Sequence, residues 1–138
     1  MKIKDIMTRE LFFVRPNRNL DIVDDVMEWH DIRHVLVIDS HGYLLGVISQ
    51  RDILRSAVSN QTNITQEDQK HLFSLIPVTE IMKTRLITTT PETPIHEAAQ
   101  LLLENKIGCL PVLDVESKVI GIVSESDFVK WAAINDQK

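Results

Sequence analysis

The sequence predicts an α+β protein made of two copies of a β-α-β-β-α unit, and three observations lead there. The chain has 138 residues, 43% apolar and 25% charged, a globular balance with enough length to bury a core. Shifted by 75 residues, positions 4–58 align with 79–133 without a gap, and eleven of these 55 pairs are identical. Ile6, Met7, Leu11, Pro16, Ile32, Val37, Asp39, Gly46, Ser49, Asp52 and Ala57 meet Ile81, Met82, Leu86, Pro91, Ile107, Val112, Asp114, Gly121, Ser124, Asp127 and Ala132. Helical apolar stripes and short apolar runs then follow one another in the same order in both halves. The division is 1–58 for the first repeat, 59–76 for a connector and 77–138 for the second repeat. A unit this small is marginal alone, so two copies packed face to face are expected to share a core.

Each repeat opens on a short extended segment, Leu11-Phe12-Phe13-Val14 and Leu86-Ile87-Thr88-Thr89, followed by Pro16 or Pro91. A helix comes next. In the first repeat Asn19 is the expected N-cap, and Leu20, Val23, Val26 and Met27 recur at helical spacing. In the second, Thr93 is the expected cap, with Pro94 at the first helical position and Ile95, Ala98, Leu101 and Leu102 as the stripe. Two strands follow as a hairpin. Val35 to Ile38 and Leu44 to Ile48 are joined by Asp39-Ser40-His41-Gly42; Leu110 to Leu113 and Val119 to Val123 are joined by Asp114-Val115-Glu116-Ser117-Lys118. The last helix starts at Ser49 or Ser124 and carries Ile53, Leu54 and Ala57, or Phe128, Val129 and Ala132. In the connector, residues 59–63 read as a polar loop, Thr65-Gln66-Glu67-Asp68 as a helix start, and Leu72, Phe73, Leu75 and Ile76 as its docking end before Pro77.

Several function classes are excluded or disfavoured by composition. Fifteen basic against twenty acidic residues leave a net charge of −5, which argues against a general nucleic-acid binder because phosphate contacts need a basic face. The single cysteine, Cys109, allows no internal disulfide or cysteine-rich zinc site, and its expected state is an ordinary buried or semi-buried thiol in a reducing compartment. The N-terminal stretch lacks a signal-peptide pattern, and no apolar run approaches the roughly 18 residues of a membrane span, so a cytoplasmic protein is expected. His30, His34, His41, His71 and His96 show no metal-ligand spacing. The run Asp24-Asp25, Glu28 and Asp31 reads as a solvated helix face, and Trp29 and Trp131 as helix-packing or dimer contacts.

The chemistry-bearing string is Gly-apolar-apolar-Ser-x-x-Asp. It occurs as Gly46-Val47-Ile48-Ser49-Gln50-Arg51-Asp52 and again as Gly121-Ile122-Val123-Ser124-Glu125-Ser126-Asp127. Ser-x-x-Asp is first of all a capping box, with the serine receiving a first-turn N–H and the aspartate complementing the helix dipole. The same place offers N–H groups to a phosphate and a carboxylate to the two hydroxyls of a ribose. Together with Asp5-Ile6-Met7, Glu80-Ile81-Met82 and Leu110-Pro111-Val112-Leu113-Asp114, this string resembles the CBS domain, present here as a tandem pair (a Bateman module).

The resemblance covers nearly the whole chain and implies two repeats packed with pseudo-twofold symmetry through their sheets. It leaves no room for a catalytic domain, so no enzyme and no metal are expected. It implies an adenosine-containing ligand (AMP, ADP, ATP or S-adenosylmethionine) bound in clefts that mix the copies, an unidentified regulated partner protein, and a homodimer. One cleft would gather Asp127, Ser124, Ser126, Arg33, His34, Val14, Arg15 and Ile32; the other Asp52, Ser49, Arg51, Thr89, Thr90, Ile107 and Gly108. Arg33 is either a solvated surface charge or a phosphate contact, and His34 either a hydrogen-bonded rim histidine or a phosphate contact, whereas their counterparts Gly108-Cys109 are uncharged, so the Asp127 cleft is expected to be the better nucleotide seat. Leu36 stands where the second repeat has Pro111, and Arg15 where it has Thr90, departures that set the first repeat apart. The alternative to a ligand-sensing module is a structural pairing protein with empty clefts.

Overall fold

The computed structural model describes residues 1–56 and 65–135; Ala57 and the polar stretch 59–63 lie outside the described residues. The chain forms two compact units, Phe12–Leu86 and Met1–Leu11 together with Ile87–Lys138. Each leading segment therefore folds with the hairpin of the other repeat: residues 1–11 join the second hairpin, and the segment through Met82 joins the first.

The first unit runs β1 (Phe13–Val14), α1 (Leu20–His30), β2 (His34–Ile38), β3 (Leu44–Ser49), α2 (Gln50–Leu54), α3 (Gln66–Phe73) and α4 (Val78–Ile81). Its sheet has the order β1-β2-β3, with β1 parallel and β3 antiparallel to β2. The core gathers Leu20, Val23 and Met27 from α1, Val35, Val37 and Ile48 from the hairpin, and Phe73 and Val78 from the connector side. Thr65 caps α3 as expected, its Oγ1 accepting from the Asp68 N–H at 3.1 Å. Asn19 stands at the N-cap of α1, but its side-chain amide donates to the Ser74 carbonyl at 2.7 Å instead of capping the helix. The acidic face of α1 is only partly solvated. Asp25 is ion-paired with Lys70 of α3, and burial pushes the Asp24 carboxyl above its ordinary value despite the Lys70 charge.

The second unit opens with a 3-10 turn (Ile3–Asp5) and continues through α5 (Ile95–Asn105), β4 (Cys109–Leu113), β5 (Val119–Ser124) and α6 (Glu125–Asn135). Pro94 itself holds the cap position of α5, one residue later than the sequence suggests, and the Thr93 hydroxyl is bonded to Thr90 instead, 2.8 Å from its Oγ1. Proline is tolerated there because no intrahelical N–H is required of it. Ile3, Ala98, Leu102, Leu110, Val112 and Val123 form the core.

The 75-residue register persists in the tertiary bonding. The parallel pair Val14↔Val37 has its counterpart in Thr89↔Val112, and the strand-edge bridge Val47↔Lys83 in Ile122↔Thr8. Both hairpins shift register at the same place, between Val37 and Ile38 and between Val112 and Leu113. Both turns are closed by an aspartate: Asp39 Oδ1 accepts from the His41 and Tyr43 N–H groups at 2.9 Å, and Asp114 Oδ1 from Glu116 at 2.8 Å and Lys118 at 3.0 Å. The Tyr43 N–H above all holds the Asp39 carboxyl below its ordinary value. Short apolar runs alone would leave such a turn's N–H groups open, which is why aspartate stands at both starts.

The repeated methionines and glycines explain one another. A Cβ on Gly46 would lie 2.6 Å from Met82 Sδ and 2.9 Å from Met82 Cβ; on Gly121 it would lie 3.0 Å from Met7 Sδ and 3.1 Å from the Thr8 carbonyl oxygen. Each strand is thus bare where the leading segment lies across it. Gly46→Ala is expected to cost about 1–3 kcal/mol in urea unfolding by overpacking, and Met82→Ala in the same chain is expected to recover part of it. Full additivity of the two losses would refute this contact as their common cause.

Both α1 and α5 end on a left-handed residue, Asp31 at φ 51° and Lys106 at φ 53°. Aspartate visits this region more readily than lysine, and glycine does so without a Cβ penalty. Lys106→Gly is therefore expected to raise stability by about 1 kcal/mol and Asp31→Gly by less; a drop in the urea midpoint of the Lys106 variant would contradict this.

Candidate functional site

The two Ser-x-x-Asp strings sit where a strand turns directly into a helix. Ser49 is the last residue of β3 and the N-cap of α2. Its Oγ accepts from the Asp52 N–H at 3.2 Å, while Asp52 Oδ2 accepts from the Ser49 N–H and hydroxyl, both at 2.8 Å. At the start of α6, Asp127 Oδ2 likewise accepts from the Ser124 N–H at 2.8 Å and hydroxyl at 3.2 Å, and the Ser124 and Ser126 hydroxyls lie 2.9 Å apart. The aspartate half of the capping box is made at both sites through one carboxylate oxygen, Oδ2; the serine half, a first-turn N–H accepted by Oγ, is made at Ser49. The other, Oδ1, differs between repeats: at Asp52 it lies 3.4 Å from Lys83 Nζ, whereas among the described residues Asp127 is in no ion pair.

Within the first unit, β pairing brings His34 opposite Ser49, and the Gln50 N–H donates to the Arg33 carbonyl at 2.8 Å. Arg33, His34, Ser49 and Arg51 therefore gather around one strand-to-helix corner with Asp52. The second unit repeats the arrangement, with Cys109 opposite Ser124 and the Glu125 N–H donating to the Gly108 carbonyl at 3.1 Å. Ile107 caps the return from α5 through its N–H to the Leu102 carbonyl, as Ile32 does on Met27. Val14 is buried in the first core, and Thr89 is buried with its hydroxyl lacking a hydrogen-bond partner among the described residues. Arg15 is committed locally: its guanidinium donates to the Ile38 and Asp39 carbonyls and lies 4.9 Å from the centre of the Phe13 ring. Thr90 is exposed and bonded to Thr93. Sequence reasoning did not single out Lys83, although the signal was available: at the aligned position the first repeat has Thr8.

Among the described residues no three His, Cys, Asp or Glu side chains are grouped to hold a metal ion, and no helix is long and apolar enough to cross a membrane. A family model for the CBS domain matches residues 3–59 and again 78–134. Over 127 residues the chain is 32% identical to a CBS domain-containing protein of Dictyostelium discoideum, covering 92% of this chain and 88% of that one. In structure it is similar to AcuB of Vibrio cholerae, with a TM-score of 0.81 and 34% identity over 99% of this chain and 93% of the other. It is also similar to the CBS-pair protein CBSX2 from Arabidopsis thaliana, with a TM-score of 0.85 and 27% identity over 99% and 97% of the two chains. CBSX2 has been solved in complex with AMP, and that structure matches with a TM-score of 0.82 and 27% identity over 96% and 97%.

Cys109, the one thiol, is buried, and desolvation, with a smaller contribution from the Glu125 charge, pushes its pKa up to about 12. The thiol stays protonated at neutral pH and is no nucleophile there. With Ellman's reagent at pH 8, the native protein is expected to react only as fast as it unfolds, and the unfolded chain at once. Rapid labelling of the native state would contradict the burial.

Proposed function

The chain belongs to the CBS domain family and carries the domain twice; from that premise we propose that it is a regulatory module that binds an adenosine-containing ligand and passes the binding event to a partner protein. AMP, ADP, ATP and S-adenosylmethionine are the ligands to be compared. The observation that carries this reading is the corner at Asp127. A carboxylate with one oxygen fixed by the Ser124 N–H keeps its second oxygen as an acceptor for a ribose diol, and the Ser124 and Ser126 hydroxyls stand beside it. The eleven-residue helix α6 begins there, with free N–H groups suited to a phosphate. The AMP complex of CBSX2 supports an adenine nucleotide as the ligand class.

In this proposal Asp127 and Asp52 accept ribose hydroxyls, and Ser124, Ser126, Ser49, Arg51, Arg33 and His34 contact phosphate. Val14, Arg15, Ile32, Thr89, Thr90, Ile107 and Gly108 complete the contacts. Two chains pair as a homodimer in the cytoplasm, a reading supported by the exposed apolar side chains Val129 and Ile134 on α6, each 67% exposed.

Titration calorimetry with the four ligands tests the proposal on the full chain. Asp127→Ala is expected to weaken binding by about tenfold or more, since a charged acceptor is lost; Asp52→Ala is expected to weaken it less. Circular dichroism checks that loss of the cap, about 1 kcal/mol, has not unfolded either variant. A ligand at about a hundred times its Kd is expected to stabilise the protein by about 2.7 kcal/mol. No heat and no thermal shift with any of the four would favour a structural pairing protein instead.

A further inference from the structure

The two repeats present the same carboxylate in different charge surroundings, and one substitution accounts for it. Lys83 and Thr8 occupy equivalent positions. Each is held to a strand edge by a pair of backbone bonds: Lys83 to Val47 at 2.9 and 3.1 Å, Thr8 to Ile122 at 2.9 Å both ways. Each therefore leaves the sheet two residues ahead of the capping serine. From that place a lysine stem is long enough to bring its ammonium to Asp52 Oδ1, 3.4 Å away. The threonine side chain ends one atom beyond its Cβ and carries no charge.

Resting on the ligand-binding reading above, we propose that Lys83 is a specificity-determining latch: it contests the second acceptor oxygen of Asp52, so that an adenosine-type ligand binds more weakly at Asp52 than at Asp127. The Asp52 side chain is 9% exposed and Lys83 59%, so the carboxylate end of the pair is shielded from water while the ammonium can still swing away. A ribose diol arriving at Asp52 finds Oδ2 engaged by Ser49 and Oδ1 ion-paired with Lys83, and competes with the ammonium for that oxygen. At Asp127 only the serine is in place. Copying one repeat's residue into the other therefore transfers the latch, with the backbone clamp unchanged.

Neutral adenosine is the probe, so that phosphate charge does not enter, with AMP in parallel. The full chain is titrated as wild type, Lys83→Met, Thr8→Lys, and Lys83→Met combined with Asp52→Ala. Lys83 and Thr8 are both exposed, so neither substitution disturbs a core. The expected result is two unequal sites in the wild-type chain, the weaker one tightened about threefold to tenfold by Lys83→Met and lost with Asp52→Ala. Thr8→Lys is expected to weaken the Asp127 site by about threefold to tenfold, the range of a contested hydrogen bond to a charged group. Wild-type sites of equal affinity, or a Lys83→Met chain whose weaker site is unchanged, overturn the latch and leave the ligand-binding reading standing. Failure of wild type and Lys83→Met alike to bind adenosine, AMP, ADP, ATP or S-adenosylmethionine overturns that reading itself.

Discussion

The contact on which the structure depends is a methionine laid across a glycine. Met82 lies so close on Gly46 that a Cβ there would force it to shift, and Met7 lies so close on Gly121 that a Cβ there would make a tight contact. That approach lets a leading segment reach the outer edge of a hairpin and bond to it, Lys83 to Val47 and Thr8 to Ile122. The same segments deliver Val78 and Ile3, both fully buried, into the two cores. An edge strand without such a partner would present open N–H and carbonyl groups to any other chain. Closing the edge and filling the core are one event in each unit, and each costs a glycine in a strand, where glycine otherwise only weakens it.

The proposed ligand chemistry grows out of a structural device. A strand that turns into a helix with no intervening loop leaves N–H groups at the corner, and serine and aspartate satisfy them. Because a carboxylate has two oxygens and the cap uses one, the fold produces a spare acceptor at each corner. What happens to that oxygen is decided by a neighbour outside the string, lysine in one unit and threonine in the other. Two corners with matching backbone bonds and matching Ser-x-x-Asp residues can thus differ in what they offer a ligand.

Much of the fold was legible in the chain. The order of elements, both hairpins, the aspartates at their turns, the connector helix with its Thr65 cap and the burial of Cys109 follow from local rules: periodicity, turn chemistry and side-chain polarity. The misplacements have tertiary causes. Asn19 looks like a helix cap, yet Ser74, distant in sequence, claims its amide; Thr93 yields the cap position to Pro94 because Thr90 claims its hydroxyl; Asp25 looks solvated until Lys70 of the connector helix arrives beside it.

By itself the sequence determined the repeating unit, its register and the position of both carboxylate corners, because each is written in spacing and residue type over a few neighbouring positions. Only the tertiary structure decided which hairpin each Ile-Met segment closes. Both repeats carry the same methionine and the same glycine, so the apolar pattern allows either pairing, and the choice falls to contacts between residues far apart in the chain. The ion pairing at the Asp52 corner was decided in the same way. Whether Lys83 meets water or a carboxylate depends on the strand edge that holds its backbone, which no local spacing specifies.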